Sequence, residues 1–117
     1  MLVQVFGTRK SADTRKALRF FSERRVQVHF VDLAERGAAR GELQRFAQRF
    51  GVEALIDRSS KRFAELGLAT ARYSEEHWLG KLVMEPLLLR TPLVRYQKRL
   101  TIGLDEATWG SWVADGA

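Results

Sequence analysis

The chain has no cysteine in its 117 residues. That absence excludes disulfides, thiolate metal sites and every reaction that needs a sulfur nucleophile, while saying little about compartment. Histidine is almost as scarce. His29 falls in a predicted strand and His77 on a predicted helix, so the two form no ligand cluster, and neither a metal nor a cofactor is expected. No stretch approaches the roughly 18 continuous apolar residues that a membrane span needs. The opening MLVQVFGTRK also lacks the charged-then-apolar order of a signal peptide. A cytoplasmic location with no membrane partner is the expectation.

What is present is an ordinary globular composition, 45% hydrophobic and 29% charged, enough to bury a core in a single domain spanning residues 1–117. The net charge of +6 comes mainly from arginine. It concentrates at Arg9, Lys10, Arg15, Lys16, Arg19, Arg24 and Arg25, and again at Arg90, Arg95, Lys98 and Arg99. Such clusters suit an acidic partner or nucleic acid. They equally suit solvated helix faces, and aromatics are not interleaved with them as a base-stacking platform requires. The solvated reading is therefore preferred, and nucleic-acid binding is the weaker alternative.

Periodicity orders the elements. Leu2 to Phe6 reads as a buried strand ended by Gly7, and a helix follows from about Ala12 to Arg24 with Leu18 and Phe21 inward. Val26 to Asp32 alternates like a second strand, which makes a βαβ unit whose natural closure is parallel. Leu43, Phe46, Ala47 and Phe50 recur at helical spacing before Gly51, and a short helix runs through Phe63 and Leu66 to Gly67. Ser74 caps a further helix that Pro86 stops. Leu93 to Tyr96 and Arg99 to Gly103 flank Gln97-Lys98 as a hairpin, and a last helix begins near Asp105 with Trp109, Trp112 and Val113 on one face. The tryptophan pair reads as core.

Two motifs carry a family resemblance. Phe6-Gly7-Thr8-Arg9-Lys10-Ser11 leading into Arg15-Lys16-Ala17-Leu18 resembles an aromatic-Gly-x-x-x-Cys loop followed by a basic pair and an apolar helix. Glu85-Pro86-Leu87-Leu88-Leu89-Arg90-Thr91-Pro92 is similar to a Pro-x-Leu-Ile-x-Arg-Pro segment. Both belong to the ArsC/Spx (arsenate reductase-like) branch of the thioredoxin superfamily. The ending Leu100-Thr101-Ile102-Gly103-Leu104-Asp105-Glu106 is similar to that family's too. The resemblance spans essentially the whole chain. It implies an α/β thioredoxin-like fold with a mixed sheet, a helical insertion over about residues 37–85, and a cis peptide at Pro92. From the residues alone, a trans proline starting an edge strand is equally open.

By the same resemblance, Ser11 stands where the family's nucleophilic cysteine belongs, and Thr14 stands where a second thiol would complete a Cys-x-x-Cys pair. A serine hydroxyl cannot form a mixed disulfide, and it needs a partnered base to attack at all. Its plain role is to cap the helix or to hydrogen-bond within the loop. Asp13 places a carboxylate where a working site binds an anion. Arginines of arsenate-reducing relatives match Asp57, Thr91 and Gly103 here; Arg58 and Arg90 are each one residue off, and one residue reverses facing in a strand.

The leading expectation is a catalytically silent protein-binding or regulatory module. Spx-type members bind RNA polymerase, and Arg15, Lys16 and Arg19 are the candidate partner surface. A thiol-independent site for a small anionic, glutathione-like ligand is the second reading, with Arg9, Lys10, Ser11, Arg58 and Arg90 as candidates. Ser11, Thr14, Thr91 and Pro92 mark the degenerate active-site positions.

Overall fold

The computed structural model describes residues 1–116. β1 (Leu2–Gly7), α1 (Ala12–Glu23) and β2 (Gln27–Asp32) form the expected βαβ unit, with β1 and β2 parallel from Leu2↔Gln27 to Gly7↔Asp32. β3 (Leu93–Tyr96) and β4 (Arg99–Ile102) form the expected hairpin, turning at Gln97 in the left-handed region with φ 55°. β3 lies antiparallel beside β1, which gives the mixed sheet order β2-β1-β3-β4. α5 (Glu106–Gly116) starts after Asp105, whose Oδ1 accepts the Thr108 N–H at 3.2 Å.

Strand alternation sends Val3, Val5, Val94 and Tyr96 to one face. There they pack with Ala17, Phe20 and Phe21 of α1 and with Trp109 and Trp112 of α5. The rings of Phe20, Phe21 and Trp109 lie 5.2 to 5.6 Å apart. Trp109 Nε1 donates to Thr101 Oγ1 at 2.8 Å, so the largest fully buried side chain leaves no polar atom orphaned. The inward face of α1 differs from the sequence expectation. Thr14, Ala17, Phe20 and Phe21 are its buried residues, and Leu18 is half-buried but still packs against this core. Leu18 follows the fully buried Ala17 by one residue, about 100° round the helix, which puts it at the margin of the stripe.

Contacts divide the chain into two compact units: Met1–Asp32 with Thr91–Ala117, and Leu33–Arg90. The second holds α2 (Arg40–Phe50), α3 (Lys61–Glu65) and α4 (Glu75–Met84), joined by short 3₁₀ turns, with Ile56 and Leu89 bridging antiparallel. Leu43 and Phe46 of α2 are buried as expected, but Phe50 is 39% exposed. It sits in the last turn before Gly51, whose φ of 84° ends the helix, and the Arg49 guanidinium lies 5.8 Å from its ring instead of core. Ser60 caps α3 and Ser74 caps α4, each accepting a backbone N–H at 3.1 Å.

A two-bond ion pair also sits in this unit. Arg62 Nε and Nη2 donate to the two Glu85 oxygens at 2.9 and 3.0 Å. Those hydrogen bonds, aided by the charge attraction, hold the Glu85 carboxyl below its usual range against a smaller opposing desolvation. A carboxyl depressed in the folded state adds stability above its unfolded pKa of about 4.3, and that contribution is lost as pH falls through the folded value. Both partners are partly exposed, so the effect is modest. Urea unfolding midpoints of the native chain and Glu85→Gln are expected to differ at neutral pH and to converge toward pH 3. A gap that stays constant with pH would remove Glu85 as the titrating group.

Candidate functional site

The site is assembled where β1 ends. Gly7 closes the strand, the Ser11 N–H returns to the Thr8 carbonyl at 3.1 Å, and Ser11 adopts extended backbone (φ −76°, ψ 119°) as the N-cap of α1. Its Oγ accepts the Thr14 N–H at 3.2 Å, and its carbonyl accepts the Arg15 N–H at 3.1 Å. Capping is the job that an extended residue with a short oxygen-bearing side chain does best. From the far end of the sequence, Thr91 Oγ1 donates to Ser11 Oγ at 3.1 Å. The next peptide bond, Thr91–Pro92, is cis, and the Pro92 carbonyl accepts the Gly103 N–H at 2.8 Å. The structure therefore brings together Ser11, Thr14, Thr91 and Pro92, with Gly103 attached through Pro92.

Thr14 is fully buried, and its Oγ1 has no hydrogen-bond partner. It packs directly on Gly7, where an added Cβ would stand 2.4 Å from that oxygen. Sequence reasoning read Thr14 only as a missing thiol and assigned Gly7 no packing role. The Ser11–Thr91 bond spans 80 positions, and nothing local in the sequence announces it.

The cations arrange differently from expectation. The Arg9 guanidinium lies 5.0 Å over the Phe30 ring, and Arg15 Nη1 donates to the Arg9 carbonyl at 2.7 Å, so both hold the loop. Arg24 bonds the Phe20 carbonyl and lies 3.6 Å over its ring. Lys10, Lys16 and Arg19 are exposed and carry no bond to another described residue. Of the three candidate partner residues, Lys16 and Arg19 thus present free charge, while Arg15 is tied down.

Arg58 and Arg90 belong to the other compact unit. Arg58 Nη2 pairs with Glu53 at 2.7 Å and lies over the Phe63 ring at 5.5 Å. Arg90 donates its backbone N–H to the Leu55 carbonyl at 2.8 Å. It precedes β3 rather than lying in it, so the expectation that strand alternation turns it away does not apply. Asp57 accepts from the Ser59 N–H and hydroxyl at 3.0 and 2.7 Å, which makes it a turn former.

Among the described residues, no base is bonded to Ser11. His29 pairs with Gln4 at 3.4 Å, and the His77 ring stacks on Tyr73 with centroids 4.2 Å apart. The Ser11 oxygen receives two hydrogen bonds, from the Thr14 N–H and the Thr91 hydroxyl, whereas a hydroxyl nucleophile needs a bonded base. Among the described residues, no group of three or more acidic or imidazole side chains could hold a metal ion, and no helix is long and apolar enough to cross a membrane.

Comparison with known proteins places this geometry. The model of the ArsC family matches residues 6–112, which includes every site residue just described. Global transcriptional regulator Spx 2 of Bacillus cereus is 25% identical over 107 residues, covering 90% of this chain and 82% of its own. YusI of Bacillus subtilis is 25% identical over 101 residues, covering 83% and 86%. Among solved structures, an arsenate reductase from Vibrio cholerae superposes with a TM-score of 0.79 at 20% identity, over 92% of this chain and 94% of that one. The thioredoxin-like fold expected from sequence is thereby established.

Proposed function

The chain belongs to the ArsC family, and from that premise we propose that it is a cytoplasmic, catalytically silent member that works by binding a protein partner. One observation carries the reading. Ser11, which the motif resemblance matches to the family's nucleophile, has its oxygen occupied as a helix cap and as acceptor from Thr91, in a chain with no cysteine. Reduction of arsenate or of a disulfide needs sulfur to form and break a covalent bond, and here that electron carrier is missing. The arginine-matched positions add to it, since Thr91 serves Ser11 and Gly103 has no side chain to offer.

What persists is a folded scaffold with a cationic face on α1. Relatives named as global transcriptional regulators make a regulatory, protein-binding role a natural use for such a scaffold. The free charges of Lys16 and Arg19 suit an acidic surface on the partner. Arg24, Glu23 and Glu106 line the same shallow depression as these two residues, so the face mixes both signs and is not a uniform positive stripe. That favours a protein partner over a polyanion.

The test is quantitative capture of partners from native lysate by the tagged chain. The double charge reversal Lys16→Glu/Arg19→Glu is expected to reduce the recovered partner at least tenfold while leaving the unfolding midpoint within experimental error. Reversal of Arg15 is less informative, because it also frees the Arg9 carbonyl. Equal recovery by native and double-reversed chains would remove this face from the proposal. Thiol-dependent arsenate reduction by the native chain would overturn the silent reading altogether.

A further inference from the structure

We propose that the sheet carries a second site, toward the end of β1 remote from Ser11, that takes a short aliphatic dicarboxylate. The register pairs Gln4 with His29 on β2 and with Arg95 on β3, so the three side chains stand in one row across three strands. Their chain neighbours Val3, Val5, Val94 and Tyr96 belong to the core on the opposite face, and Val28 and Phe30 pack against that core. Alternation therefore puts the polar row on the other side of the sheet. Leu2 and Gln97 complete an open cavity of about 270 Å³ around it. That lies just below the roughly 300–1,000 Å³ of common ligand pockets, which suits a small molecule.

The lining decides the class of ligand. None of the five lining residues is acidic, and one, Arg95, is a permanent cation. Arg95 Nε is fixed by donation to the Gln97 carbonyl at 2.7 Å, so the side chain is held in place. Its two terminal nitrogens have no partner among the described residues, and their paired N–H edge matches a carboxylate in geometry and charge. Across the row, Gln4 Nε2 lies 3.4 Å from His29 Nδ1. With the amide as donor, the imidazole carries its proton on Nε2 and presents a second donor.

His29 and Arg95 stand on strands two places apart, with backbones roughly 10 Å from each other. Leu2, 53% exposed beside them, offers an apolar contact. With Gln4 between them in the row and Leu2 beside it on β1, two donors held a strand apart call for two acceptor ends joined by a short chain. The site shares no residue with the Ser11 cluster or with the α1 face, so it stands or falls independently of the function proposed above.

Backbone amide NMR titration of the full chain with succinate tests it. Saturating shifts are expected at Gln4, His29, Arg95 and Gln97, with acetate binding at least tenfold more weakly. Arg95→Gln is expected to weaken succinate binding at least tenfold and His29→Ala several-fold, with Ser11→Ala unchanged. Should Arg95→Gln fail to fold, Arg95→Lys keeps the charge without the paired edge and is expected to show the same loss. Shifts that stay linear in concentration, that sodium chloride reproduces at matched ionic strength, or that survive both Arg95 substitutions would overturn the site. So would shifts confined to the start of α1.

Discussion

Gly7→Ala is expected to destabilise the fold by about 3 kcal/mol, at the upper end of what overpacking a filled interior costs. The added methyl carbon would stand 2.4 Å from Thr14 Oγ1, 2.6 Å from its Cγ2 and 3.0 Å from its Cβ. Thr14 is fully buried within α1, so the filled interior leaves it no open space to move into. An opposing effect exists, because replacing glycine stiffens the unfolded chain and returns about 0.4–1 kcal/mol. The clash is larger, so the net sign is destabilising.

The partner of the clash can be identified by a double-mutant cycle. Thr14→Ala removes the two nearest atoms but leaves Cβ, so Gly7→Ala in that background is expected to recover about half of the loss, a coupling within the roughly 0.5–3 kcal/mol seen for residues in contact. Thr14→Val is a sharper companion, because it exchanges the partnerless buried hydroxyl for a methyl group of nearly the same shape. Removing an unsatisfied buried oxygen without opening a cavity is expected to stabilise the chain by about 1 kcal/mol. Urea denaturation of the four variants decides it. Strict additivity of Gly7→Ala and Thr14→Ala would mean that the clash is relieved elsewhere.

How far sequence reached is visible in these same residues. The strand ending at Gly7, the capping serine and the helix behind it were all legible, because each rests on a local rule: alternation, cap chemistry, 3.6-residue spacing. The Trp109 and Trp112 stripe was legible for the same reason. Thr14 and Phe20 as core, and Leu18 as margin, were not. Helical spacing defines a stripe, but which part of it meets the sheet is settled only when the helix packs on the strands, and here the stripe is centred on Ala17. Phe50 failed in a related way, since it is the last residue of the helix. The hydroxyl contact of Ser11 with Thr91 was beyond reach. A bond between residues at opposite ends of the chain leaves no periodic trace, and the resemblance had marked the two positions for what they lack.

Ser11→Cys is expected to give a chain that reacts but does not turn over. The introduced sulfur would inherit the cap position, where the Thr14 N–H and the Thr91 hydroxyl now donate to the serine oxygen. Two donors and the positive end of a 12-residue helix stabilise an anion there, which lowers the thiol below its ordinary pKa of about 8.5. Each unit of lowering raises the thiolate fraction near neutral pH almost tenfold. It also weakens the nucleophile, with a Brønsted slope of about 0.4–0.5, so the net gain in alkylation rate is roughly three- to four-fold per unit. Asp13 in the first turn of α1 works against this, and Asp13→Ala in the same background is expected to raise the rate again. Thr91→Val, which removes one donor, is expected to lower it. Oxidised glutathione should yield a one-to-one mixed disulfide, detectable by intact mass. That disulfide should persist until an external thiol is added, because the chain has no other cysteine to resolve it. Alkylation no faster than that of an unstructured cysteine peptide would mean that the cap geometry does not activate sulfur. Steady arsenate reduction by Ser11→Cys would show that a single atom separates this chain from an active reductase, against the reading in which Thr91 and Gly103 have also left the reaction behind.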